Sequence, residues 1–208
     1  MADLLYLSLW LRDYNESNML QHWKRVIETF PVYAASPGVR SVTIYPLHWG
    51  EMPVFERSFG EGAEAGELVT LAAEFLHEDC AYEAEMNWDL WFPADTATPE
   101  GWSRAPAAVS VACLGPAFDR EGADGRADIQ VNFGLDTPFL PPDEDALPEL
   151  GPDFDPDLPD RRIQENLQQL VAFVHQLDQT MPIVKRSLWC ESGENLAEKI
   201  LAVWNLRL

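Results

Sequence analysis

Apolar and polar residues alternate over several short stretches of the chain, which is the pattern of strands with one buried face. In residues 3–12 four leucines share one face, and the residues of the other face are Tyr6, Ser8, Trp10 and Arg12. Residues 81–92 alternate in the same way, with an apolar set from Tyr82 to Phe92 interleaved with Glu83, Glu85, Asn87, Asp89 and Trp91. Five further strands are predicted at residues 39–48, 53–59, 106–115, 127–135 and 184–191.

Helical periodicity, with apolar residues three and four positions apart, appears in four other segments. The first helix ends near Phe30 and can be capped by Asn15 or Ser17. A second helix follows the glycine-rich residues 60–66. A third covers residues 160–180 with Asp160 as its cap, and a fourth starts at Ser192.

The order of these elements predicts an α+β protein with an antiparallel sheet and helices on one face. Residues 3–92 read β-α-β-β-α-β, the order of a ferredoxin-like unit. The rest reads β-β-α-β-α, as a rearranged second copy would. The predicted organisation is a ferredoxin-like half at 1–93, a hairpin pair at 94–140, an acidic loop or linker at 141–160, and a helix-strand-helix completion at 161–208. We expect these parts to pack as one compact body.

The charge of the chain narrows the classes of partner. Thirty-five acidic residues oppose fourteen basic ones, for a net charge of −21. A surface this negative repels phosphate, so nucleic acid and anionic membranes are excluded, whereas a basic protein or a small polar or cationic ligand is favoured. The three cysteines form no CxxC pair, and no signal peptide or membrane span is evident, so we expect a cytoplasmic protein.

The acidic segment at 141–160 holds eight acidic residues, six prolines and no basic residue. Asp153, Asp155 and Asp157 alternate as in the first half of a calcium loop. Leu158 stands where such a loop has glycine, and the closing glutamate comes one residue late, at Glu165. The segment is therefore predicted to be a solvated linker, with these aspartates as the candidate metal ligands.

Other candidate chemistry is sparse. The glycine-rich stretch at 60–66 is spaced GxGxxxG and carries glutamates that would repel a phosphate, so no nucleotide or other cofactor is predicted. No catalytic residue is predicted; His48 and Glu51, which lie across a tight turn, are only weak candidates for an acid–base pair, and an ordinary turn is the favoured explanation. No GxSxG nucleophile motif is present.

The sheet face turned away from the helices carries the remaining candidates. The predicted ligand-binding residues are Tyr6, Trp10, Arg12, Glu83, Glu85 and Trp91. Aromatic rings and carboxylates on one face suit a cationic ligand. Alternatively, the second half stacks its own sheet there, and Lys185 or Arg186 neutralises the glutamates.

Three function classes follow from these observations. The favoured one is a non-catalytic binding module for a basic protein or a small polar or cationic ligand. The second is an enzyme with an acid–base site between the halves, using His48, Glu51, Glu83 or Glu85. The third is a structural or regulatory protein with no ligand site. The sequence does not determine the oligomeric state or the identity of a partner.

Overall fold

A computed structural model describes residues 2–31, 33, 35–93, 101–119, 126–140, 157–193, 196 and 198. The strands are β1 (Leu4–Leu11), β2 (Val39–Pro46), β3 (Phe55–Ala63), β4 (Cys80–Pro93), β5 (Trp102–Leu114), β6 (Ile129–Leu135) and β7 (Ile183–Cys190). The α-helices are α1 (Met19–Thr29), α2 (Ala65–Ala72) and α3 (Leu158–Thr180). Single 3-10 turns lie at Ala73–Phe75 and Thr137–Phe139.

All seven strands join one antiparallel sheet in the order β3-β2-β4-β5-β6-β1-β7. The predicted α+β class with an antiparallel sheet is confirmed. The strand pairing differs from the predicted ferredoxin-like half, because a self-contained half would pair β1 with its own strands. Instead Leu7 of β1 lies opposite Val131 of β6 and Leu188 of β7. The order of elements does not determine which edges pair, and β1 gains hydrogen bonds on both edges between these two strands.

The helices cover one face of the sheet and enclose the core with it. The leucine face of β1 is buried, with Leu5, Leu7 and Leu9 at 0% exposure. Trp23 of α1 is equally buried and its indole N–H donates to the Val111 carbonyl at 2.8 Å. Each large apolar side chain buried in this way contributes about 1.5–3 kcal/mol. The face of β1 that points to the helices is therefore the one that the alternation predicts.

The cap of helix α3 lies three residues before the predicted cap. Asp157 occupies the cap position and Pro159 lies in the first turn, so Asp160 is a first-turn residue and not the cap. Its carboxylate still lies where the helix dipole favours negative charge. Asp153 and Asp155, with most of the acidic segment, lie outside the described residues.

The glycine-rich stretch at 60–66 is not a separate loop, because residues 60–63 end β3 and residues 65–66 begin α2. Gly62 has φ of +83°, and a Cβ atom there would overlap the Pro37 carbonyl oxygen. Gly38, also at φ +83°, approaches Ala63 in the same way. These two glycines let the chain segments before β2 and at the end of β3 cross in contact, which is a packing role.

The C-terminal helix predicted from Ser192 falls almost entirely outside the described residues, although Leu196 is described and is buried in the core. Among α1, α2 and α3 there is no stretch both long and apolar enough to cross a lipid bilayer.

Candidate functional site

The sheet face turned away from the helices, here called the outer face, carries polar side chains in ordered rows. One row, with each residue opposite the next, is Glu56, Thr43, Glu83, Ala112, Gln130, Ser8 and Ser187. The neighbouring row is Ser58, Ser41, Glu85, Ser110, Asn132, Tyr6 and Trp189. Within the described residues no second sheet covers these rows. Among the described residues, Glu56 and Glu85 are exposed on this face and Glu83 is partly buried.

Three carboxylates crowd one part of this face: Glu56 on β3, and Glu83 and Glu85 on β4. We call them the carboxylate cluster. The Ser41 hydroxyl donates to Glu85 Oε2 at 2.7 Å. Burial raises the pKa of Glu83, a hydrogen bond with Ser110 opposes that rise, and the charge of Glu85 adds to it. No residue in the described ranges forms an ion pair with any of the three.

Tyr45 of β2 connects the carboxylate cluster to an aromatic group. Burial raises the pKa of its phenol, and the charges of Glu83, Glu56 and Glu85 raise it further. On its other side the ring lies edge-on to Trp49, with centroids 5.2 Å apart, and Trp49 packs in the same way against the buried Phe118. Aromatic and acidic side chains thus meet at one end of the outer face.

The structure divides the predicted ligand-binding residues into separate groups. Glu83 and Glu85 are neighbours, but Tyr6 lies three strands away from them, which is about 14 Å. Tyr6 instead stacks on Trp189 with ring centroids 4.6 Å apart, and Lys185 Nζ lies 4.2 Å from the centroid of Trp10. Tyr6, Trp10, Glu83 and Glu85 share a face but do not surround a single pocket.

Two other predicted ligand-binding residues are placed away from the carboxylate cluster. Arg12 follows the last residue of β1 and is exposed in a turn, so it does not lie on the strand face. Trp91 lies near the far end of β4, where its indole N–H donates to Glu165 at 2.6 Å. The Arg162 guanidinium lies 3.7 Å from the Trp91 ring centroid. Trp91 is therefore held by the first turns of α3.

The basic residues of β7 do not neutralise the carboxylate cluster. Lys185 lies over Trp10, and Arg186 binds Asp178 of α3 at 2.9 Å. Strand β7 is four positions from β4 in the sheet. The alternative that Lys185 or Arg186 neutralises the glutamates is wrong, because both side chains have partners on their own side of the sheet.

The candidate acid–base pair is in contact but lies in an exposed loop. His48 Nε2 is 3.4 Å from Glu51 Oε1, and both side chains are about half exposed, at 51% and 48%. The Gly50 N–H donates to His48 Nδ1 at 3.1 Å, which closes a tight turn. A separate groove of about 590 Å³ lies between α1, β3 and α2, and neither residue lines it. Their role in acid–base chemistry stays a prediction.

The three thiols lie in the interior and not on the outer face. Cys80, Cys113 and Cys190 are all buried. Burial raises the pKa of Cys113 to about 12. No cluster of three or more histidine, cysteine, aspartate or glutamate residues with metal-binding geometry occurs in the described ranges. Asp157 is described, but Asp153 and Asp155 are not, so the predicted metal ligands remain a prediction.

No family model matches the chain, and no curated protein or solved structure shows significant similarity to it. The function must therefore be argued from the outer face itself. Sequence alternation identified Glu83 and Glu85 as candidate ligand-binding residues. It did not identify Glu56, Tyr45 or Trp49. The alternation within residues 39–48, where Thr43 lies between Val42 and Ile44 and Tyr45 follows Ile44, is the signal that could have found Tyr45.

Proposed function

We propose that this protein is a non-catalytic binding module that docks a basic protein on the outer face of its sheet. The carboxylate cluster is the observation that carries this proposal. Glu56, Glu83 and Glu85 lie within three adjacent strands and have no cationic partner among the described residues. The raised pKa of Glu83 reflects partial burial and like-charge repulsion, both of which a bound cation would offset.

The shape of the surface favours a protein over a small molecule. Small ligands bind in concave sites that bury most of their surface. The cluster instead spans an open sheet, from Glu56 on the edge strand β3 across β2 to β4, a width of about 10 Å. Several lysine or arginine side chains on one rigid partner can reach all three carboxylates. The net charge of −21 would also accelerate the approach of such a partner.

The test compares two triple variants that remove the same charge from different places. The outer-face variant is Glu56→Gln, Glu83→Gln and Glu85→Gln. Its matched control is Glu16→Gln, Glu28→Gln and Glu74→Gln, three exposed residues on the helical side. Tagged wild type and both variants are used to recover proteins from a total cell extract, and the recovered proteins are identified by mass spectrometry.

We expect to recover basic proteins with the wild type and with the control variant. The amount recovered with the outer-face variant should be about tenfold lower. Their recovery should fall as NaCl rises from about 0.05 M to about 0.5 M, because salt screens the charges. Equal loss in both triple variants would mean that net charge alone attracts these proteins, and the proposal would then be wrong.

A small cationic ligand is distinguished by a second measurement. Spermine is added during thermal unfolding of the wild type and the outer-face variant. A stabilisation specific to the wild type, in the absence of any recovered protein, would favour a small ligand over a protein partner. We also propose that the module works in the cytoplasm, where its three cysteines would remain thiols.

A further inference from the structure

The loop between β2 and β3, residues 47–54, concentrates exposed apolar side chains. Eight large apolar residues are exposed in the described part of the chain, and four of them lie in this loop. They are Leu47 at 53% exposure, Trp49 at 40%, Met52 at 84% and Val54 at 53%. Single exposed apolar residues are ordinary on protein surfaces, but a group within one short loop marks an interaction site. We call this segment the Trp49 loop.

The Trp49 loop is held in one conformation by its neighbours. The Leu47 N–H donates to the Asp79 carbonyl at 2.8 Å, and the Leu47 carbonyl accepts from the Asp119 N–H at 2.7 Å. These bonds hold Leu47 at φ 60°, a conformation that branched residues rarely adopt. Strain of this kind persists only where the surroundings fix it, and it is frequent at binding sites.

Trp49 is fixed as well as exposed. Its ring packs edge-on against Tyr45 and Phe118, with both centroid distances at 5.2 Å. A tryptophan already immobilised in the free protein loses little conformational entropy when a partner covers it. Tryptophan and methionine are also enriched in the centres of protein interfaces. The loop therefore presents an exposed tryptophan that its own packing contacts already position.

The loop adjoins the carboxylate cluster through Tyr45. Trp49 packs against the Tyr45 ring, and the charges of Glu83, Glu56 and Glu85 raise the pKa of the Tyr45 phenol. Val54 also lies directly before β3, which carries Glu56 two residues further on. An apolar anchor beside a group of uncompensated charges is the arrangement of an interface with an apolar centre and a charged rim. The charge of the rim specifies a partner of opposite sign.

We propose that the Trp49 loop is the apolar anchor of the docking surface, and that Trp49 and Met52 pack against an apolar patch that the basic partner carries beside its lysines or arginines. This inference rests on the proposed function and adds a specificity to it. The partner is recognised by apolar side chains next to positive charge, and not by positive charge alone. A membrane is disfavoured as the occupant because the neighbouring glutamates repel anionic lipid headgroups.

The test uses two fluorescein-labelled synthetic peptides of equal length and equal lysine count. One has leucine and tyrosine between the lysines, and the other has serine at those positions. Binding to the wild type is measured by fluorescence anisotropy and compared with Met52→Ser. The matched control is Val171→Ser, which removes a side chain that is 64% exposed on α3. Both substitutions replace exposed residues, so neither should affect folding.

We expect the wild type to bind the apolar-containing peptide about tenfold more tightly than the serine peptide. Met52→Ser should reduce this preference to about threefold or less, whereas Val171→Ser should leave it unchanged. Equal binding of the two peptides to the wild type would overturn the inference. So would a preference that survives Met52→Ser, or one that both serine variants remove.

The outer-face triple variant separates this inference from the proposed function. If both peptides bind equally and lose affinity in that variant, the proposed function stands and the Trp49 loop is not an anchor. If neither peptide binds, both proposals fall. Two other outcomes also overturn the inference: self-association in light scattering that Met52→Ser abolishes, or co-flotation with phosphatidylcholine vesicles that Met52→Ser abolishes.

Discussion

Tyr6 and Trp189 stack across the pairing of β1 and β7, with ring centroids 4.6 Å apart and ring planes 19° from parallel. The two residues are direct partners in the strand register. The Trp189 indole N–H also donates to the Ser8 hydroxyl at 3.0 Å. One ring face of Tyr6 is therefore occupied within the protein, and the pair connects the edge strand β7 to the sheet.

This pairing predicts an energetic coupling between the two rings. Tyr6→Leu, Trp189→Leu and the double variant are compared with the wild type by urea unfolding. Stacked aromatic pairs contribute about 0.5–1.5 kcal/mol beyond the area that they bury. The sum of the two single-variant losses in unfolding free energy should therefore exceed the loss in the double variant by that amount. Additive effects, within about 0.3 kcal/mol, would show that the stacking contributes nothing of its own.

A second prediction concerns two glycines of β3 that are two residues apart. Gly62→Ala should lower the free energy of unfolding by about 2 kcal/mol or more, because φ is +83° and the new Cβ overlaps the Pro37 carbonyl oxygen. Gly60→Ala is the control, since a Cβ there meets no atom within 4 Å. Thermal unfolding of both variants measures the contrast, and similar destabilisation of the two would contradict the crossing of the chain at Gly62.

A third prediction follows from the raised pKa of Glu83. The folded state binds the Glu83 proton more tightly than the unfolded state, so this group stabilises the fold at acid pH. That contribution is complete below the ordinary glutamate pKa of about 4.3 and is lost as pH rises through the folded-state pKa. At pH 7 the ionised side chain is thus destabilising.

Glu83→Gln should therefore raise the free energy of unfolding at pH 7, because the neutral amide removes a partly buried charge that lies beside Glu85 on the same strand. The gain over the wild type should shrink as the pH is lowered toward 4. Urea unfolding across this pH range gives the comparison, with the exposed Glu74→Gln as control. A gain in unfolding free energy that is independent of pH would show that it does not come from removing the ionised Glu83 carboxylate.

A fourth prediction concerns Asn166, which is fully buried in α3. Its Nδ2 donates to the carbonyls of Trp91 and Pro138 at 2.9 and 2.8 Å, and its Oδ1 accepts from the Trp91 N–H at 2.9 Å. Asn166→Leu would leave three buried backbone groups without this partner. We expect a loss of about 3 kcal/mol in urea unfolding, against little change for Gln168→Ala on the exposed side of α3. A loss below about 1 kcal/mol would mean that water replaces these bonds.

The sequence predicted the faces of the elements better than their partners. The alternation in residues 3–12 and 81–92 identified the buried sides of β1 and β4, because burial depends on a local period of two. The pairing of β1 with β6 and β7 depends on which distant edges meet, and no local pattern encodes that choice. The ferredoxin-like pairing failed for this reason, although the order of elements in the first half is the predicted one.

For the candidate site as well, the sequence predicted which residues share a strand face but not which residues meet across the fold. Glu83 and Glu85 were found because they share a strand face, whereas Tyr6 and Trp10 were grouped with them although two strands lie between. Glu56 was missed because its neighbours in β3 do not alternate cleanly. Trp49 was missed because a residue in a loop shows no periodicity, and its contacts with Tyr45 and Phe118 exist only in the folded chain.

The position of β1 in the sheet has a consequence for synthesis on the ribosome. Ser8 and its partner Trp189 are 181 residues apart in the chain. At about 5–20 residues per second, translation takes roughly ten to forty seconds to make that length. During this time the leucine-rich β1 has no partner on that edge, so the nascent chain presents an apolar segment to chaperones until β7 emerges.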